Sequence, residues 1–64
     1  MDNKVFQTFS YLTQTVEDCQ EDLTRFLHGN KSAGTRLRKA MQQVKQLAQR
    51  VRVEIQEQKN SVTV

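Results

Sequence analysis

Gly29-Asn30-Lys31-Ser32-Ala33-Gly34-Thr35-Arg36-Leu37-Arg38-Lys39 is the stretch on which the reading of this chain turns. It holds both glycines of a 64-residue sequence that has no proline. Gly29 can take the left-handed conformation that closes a helix, and Asn30 is a favoured cap for the next one. A connection this short makes the two flanking helices antiparallel neighbours. Charge also changes sign here. Residues 1–29 carry five acids against two bases, a net of −3, and residues 30–64 carry eight bases against two acids, a net of +6.

Upstream of the turn, residues 3–28 read as one amphipathic helix. Val5, Phe9, Leu12, Val16, Cys19, Leu23 and Phe26 recur at alternating spacings of four and three, which is a heptad seam. Phe6 and Leu27 widen it at the ends, and Asp2 or Asn3 can cap the first turn. From Val5 to Val16 the helix is uncharged, a pattern that points to a second covered face. Phe6 and Tyr11 are candidates to cover a dimer contact.

Downstream, residues 31–59 read as a second helix with a frayed tail over 60–64. Its seam is Gly34, Leu37, Met41, Val44, Ala48, Val51 and Ile55, with Ala33, Ala40 and Leu47 on one flank. Gly34, Ala40 and Ala48 are small enough to let helices approach closely.

Sixty-four residues form at most one small domain, whose core alone stabilises it weakly. A lone cysteine excludes an internal disulfide, and Cys19 with His28 is too few for a structural zinc site. Association is the remaining remedy. The expected fold is therefore all-α: an antiparallel two-helix hairpin, pairing into a homodimeric four-helix bundle. Phe6, Phe9, Leu12, Val16, Leu23, Phe26, Leu37, Met41, Val44, Leu47, Ala48, Val51 and Ile55 are its expected core and dimer residues.

The net charge is +3 and the pI about 9.4. Lys31, Arg38, Lys45, Arg52 and Lys59 fall seven residues apart, and on a helix such a line rises through roughly 42 Å. Arg36, Lys39 and Arg50 lie further round. Such a strip neutralises phosphates without reading sequence. The competing view is that charge beside a coiled-coil seam solubilises the helix or pairs with neighbours. The acids at 17–22 stand near the level of Arg36, Arg38 and Lys39 and can take up part of it.

Other chemistry finds little footing. Cys19 reads as a small core residue and His28 as a helix C-terminal residue. Glu17, Asp18, Glu21 and Asp22 read as a solvated face. No phosphate loop and no nucleophile–base pair is present, so neither an enzyme, a cofactor nor a small-molecule substrate is expected. No apolar run matches a secretory signal or the roughly 20 residues of a membrane span. A free thiol suits a reducing compartment.

Across Gly29–Lys39, and more loosely through Leu47-Ala48 and Arg52-Val53-Glu54, the chain resembles the bacterial histone H1-like Hc1 family. The shared features are a leading helix, a Gly-Asn-Lys-x-Ala turn and then Arg-x-Arg on a second helix. The resemblance implies a nucleoid-associated protein in the cytoplasm that binds double-stranded DNA through its phosphate backbone. It makes Lys31, Arg36, Arg38 and Lys39 the first candidates for contact, followed by Lys45, Arg50, Arg52 and Lys59. Some members carry a long Lys/Ala/Pro-rich C-terminal tail that is absent up to Val64, which implies a short form. The alternative is a helical-bundle interaction or oligomerisation module that does not touch DNA.

Overall fold

A computed structural model describes residues 3–62, with the side chains of 3–60. Asp2, Thr63 and Val64, named above as a possible cap and as part of the tail, lie outside the described residues. The described chain is all-α: α1 spans Lys4–Asp18, α2 Gln20–Leu27 and α3 Lys31–Val62.

Asn3 starts α1, its Oδ1 accepting from the Phe6 N–H at 3.1 Å. The expected continuous helix over 3–28 is interrupted at Cys19. There the backbone N–H turns to the Val16 carbonyl, three residues back, at 3.2 Å. The thiol donates to the same oxygen at 3.3 Å, and a side chain competing for a helical carbonyl loosens the turn it belongs to. Helical bonding resumes at once, because the Leu23 N–H reaches the Cys19 carbonyl at 3.2 Å.

The reversal is built as its residues require. Gly29 has φ +100°, the left-handed region. Its N–H bonds the Phe26 carbonyl at 3.0 Å, and the Asn30 N–H bonds the Arg25 carbonyl at 3.0 Å, the two bonds of a Schellman closure. The His28 ring Nδ1–H donates to the Thr24 carbonyl at 2.8 Å, which ties it to the end of α2. Asn30 then caps α3, its Oδ1 accepting from the Ala33 N–H at 3.0 Å. At the far end, the helix does not stop before residue 60 as expected, since α3 runs on through Val62. No glycine or proline intervenes there, adding a residue to an existing helix is cheap, and the Gln56 amide donates to Asn60 Oδ1 at 3.5 Å.

α3 runs back along α1 and α2. Tyr11 meets Gln43, Asp22 meets Arg36 and Phe26 meets Gly34, so residue numbers fall on one arm as they rise on the other. The surfaces in contact are narrower than the apolar arcs of the sequence. Thr8, Cys19, Ala33 and Leu47 are buried, and Val5, Leu12, Thr15, Asp22, Leu37, Ala40, Val44 and Val51 are half-buried. Thr8, Thr15, Ala33 and Ala40 are small, and small residues let helices approach closely, so the contact settles on that side of each arc. Glu54 takes the seam position after Leu47, with one carboxylate oxygen buried and without a hydrogen-bond partner among the described residues.

Apart from Leu47 and the half-buried Leu12 and Leu37, the large apolar side chains stay outside. Phe6, Phe9, Leu23, Phe26, Leu27, Met41 and Ile55 are exposed, and Val16 and Ala48 are half-buried. The molecule measures 54 × 18 × 12 Å. Its least dimension is one helix diameter, roughly 10–12 Å, so both faces of the two-helix layer meet solvent.

Candidate nucleic-acid interface

A helix turns about 100° per residue, so residues seven apart nearly align. Around α3 this sets five bands outside the seam, one of them Ser32, Lys39, Gln46 and Val53. Arg36, Gln43, Arg50 and Glu57 share one face with Tyr11, whose hydroxyl oxygen accepts from the Gln43 amide at 3.2 Å. Gly34, Met41, Ala48 and Ile55 fall on the opposite face, together with Phe9, Val16 and Leu23 of the first arm. Beside that apolar band runs the line Lys31, Arg38, Lys45, Arg52 and Lys59. Thr35, Gln42, Gln49 and Gln56 form the outermost band.

All eight candidate contact residues, Lys31, Arg36, Arg38, Lys39, Lys45, Arg50, Arg52 and Lys59, are exposed. They do not form one surface. Arg36 and Arg50 lie on the Tyr11 face, away from the heptad line, so Lys45, Arg50 and Arg52 do not act as one patch. Two shallow depressions lie along the line. One is bordered by Lys45, Ala48, Gln49 and Arg52, the other by Phe26, Lys31, Gly34 and Arg38.

The acids take up less of the basic charge than their position allows. Asp22 accepts from Arg36 through both Nε and a terminal nitrogen at 3.0 Å. Glu21 turns to Arg25 within α2, and Asp18 accepts from the Gln14 amide at 2.9 Å. Among the described residues, no carboxylate pairs with Lys31, Arg38, Lys39, Lys45, Arg50 or Arg52. The Asp22–Arg36 pair, with its arginine half exposed, contributes on the order of 0.2–1 kcal/mol. Asp22→Asn releases Arg36 and removes one negative charge. The expected result is a stability loss below about 1 kcal/mol, with a salt dependence of DNA affinity steeper by up to about 0.9 in log–log slope. Denaturant melts and salt-titrated binding of the same variant measure the two effects.

Among the described residues, no group of three or more His, Cys, Asp or Glu is placed to hold a metal ion. Cys19 is a buried free thiol. None of the described helices is long and apolar enough to cross a membrane. What remains is a small all-helical protein whose second arm carries unpaired basic side chains, a surface suited to a polyanion. The family model of histone H1-like protein Hc1 matches residues 6–61. The chain belongs to that family. No curated protein and no solved structure matches it.

Sequence reasoning sets the acids at 17–22 near Arg36 but reads Asp22 as solvated, whereas that residue is half-buried and holds the arginine. The Phe26 ring that covers Gly34 is missed. A Cβ added at Gly34 would stand 2.6 Å from that ring, so the glycine makes room for one phenylalanine. The spacing of Phe26 and Gly34 about the turn was the available signal for that contact.

Proposed function

We propose that this protein binds double-stranded DNA without sequence preference and helps compact or organise the bacterial chromosome in the nucleoid. It acts as an antiparallel hairpin that pairs into a homodimeric four-helix bundle, and it has no catalytic role. The observation that carries the reading is the exposed line of Lys31, Arg38, Lys45 and Arg52, unpaired by any described carboxylate, in a chain of the histone H1-like family. Basic side chains along such a line displace condensed counterions from the phosphates, and counterion release supplies the affinity. Arg36, Lys39, Arg50 and Lys59 add charge at the margins. A gel-shift series at low salt with unrelated duplexes is expected to give comparable affinities. No shift at any concentration would overturn the reading.

The exposed apolar face favours a second reading, an oligomerisation or protein-interaction module. Its mark would be a complex with a protein that is insensitive to salt and forms without DNA.

A further inference from the structure

Resting on the proposed self-association, we infer that the second copy is seated with the two-fold axis parallel to the helices, so that each copy's first arm covers the other's α3. The surface area calls for a partner. The chain exposes 5450 Å², whereas a compact 7.5 kDa monomer exposes about 4,200 Å². The excess is comparable to the roughly 600–1,000 Å² per partner that a stable interface buries.

The apolar face has two edges of different character. On the α3 edge stand Lys31, Arg38, Lys45 and Arg52. The first arm's edge is Phe6, Thr13, Gln20 and Leu27, with no charge. A two-fold axis parallel to the helices brings each basic edge against an uncharged edge. An axis across the helices brings the two basic edges together along their whole length, and like charges side by side oppose that seating.

Side-chain size points the same way. A two-fold axis along the helices allows no sliding, so residues at one level in the hairpin stay at one level across the dimer. The Tyr11–Gln43 contact puts Phe6 near the level of Ala48, and the Phe26–Gly34 contact puts Leu27 near the level of Gly34. Phe6 and Leu27 are the most exposed large apolar residues, at 67% and 72%. Phe6 then faces the depression beside Ala48 on the other copy's α3, and Leu27 faces the one between that copy's Phe26 ring and Arg38, while Thr13 meets the longer Met41. The two basic lines end up on opposite flanks of the dimer, facing away from one another.

Spin labels test the seating. Ser10, Glu17 and Thr24 are exposed, lie opposite the seam on the first arm and border neither depression, so Ser10→Cys, Glu17→Cys and Thr24→Cys, each in a Cys19→Ala background, leave both contacts intact. With the axis along the helices, the three inter-copy distances agree within a few Å. With the axis across them, the distance changes by as much as about 20 Å from one heptad to the next. Unequal distances would overturn the seating and leave self-association standing. Absence of dipolar coupling at all three sites, with sedimentation as a monomer, would overturn self-association itself.

Discussion

Replacing Arg38, Lys45 and Arg52 together by glutamine is expected to weaken binding to duplex DNA by on the order of 500-fold at 0.1 M salt. Each phosphate contact contributes about 0.9 to the log–log salt slope, so three contacts amount to about 2.7 decades between 0.1 M and 1 M. The three side chains lie on one line of α3, are exposed, and have no carboxylate partner among the described residues. Their removal therefore frees no buried charge, and glutamine is as good a helix former as the residues it replaces. Stability should stay within about 0.5 kcal/mol of the parent, as for other surface changes. Arg36→Gln is the matched control. Its charge is already held by Asp22, so its loss should flatten the slope by less than one full contact. Affinities measured across a salt series, with a melt of each variant, separate lost contact from lost fold. An unchanged slope in the triple variant would remove the line on α3 from the mechanism.

Leu47→Ala carries the largest expected cost in stability. Leu47 is the largest side chain that the two arms bury, with 7% of its surface left exposed. Truncating a buried leucine costs about 2–4 kcal/mol, from lost transfer energy and from the cavity left behind. In a chain this short each kcal/mol moves Tm by roughly 7 °C, so the midpoint should fall by about 15–30 °C. Gln49→Ala, two positions on and exposed, should change stability by less than about 0.5 kcal/mol. Thermal melts followed by circular dichroism measure both. Equal effects from the two substitutions would mean that the seam does not run through Leu47.

The local parts of this fold were legible in the sequence because their chemistry is local. Gly29 and Asn30 announce a turn through backbone freedom and a side-chain oxygen, and both act as read. The helices follow from heptad spacing and the absence of proline. The break at Cys19 was not legible. It depends on a thiol turning to the Val16 carbonyl, and cysteine has no strong preference that would announce it. The choice of seam was only half legible. A heptad pattern fixes a direction on the helix, yet each arm here offers an apolar arc wider than one contact can cover. Closeness of approach decides between neighbouring lines, and it favoured Thr8, Thr15, Ala33 and Ala40 over Phe9 and Met41. The basic line was fully visible as a repeat. Which of its neighbours pair with acids depended on the levels at which the arms meet, and those levels came only with the fold. Arg36 proved paired, while Arg38 and Lys39 did not.

Phosphate contact without sequence reading is the centre of the proposed mechanism, and the salt dependence of affinity for two unrelated duplexes tests it most directly. Between 0.05 M and 0.2 M salt, four or more contacts should lower affinity on the order of 100-fold, with a slope of about −4 or steeper that is the same for both duplexes. A slope near zero, or a preference of a thousandfold or more for one duplex, would contradict it.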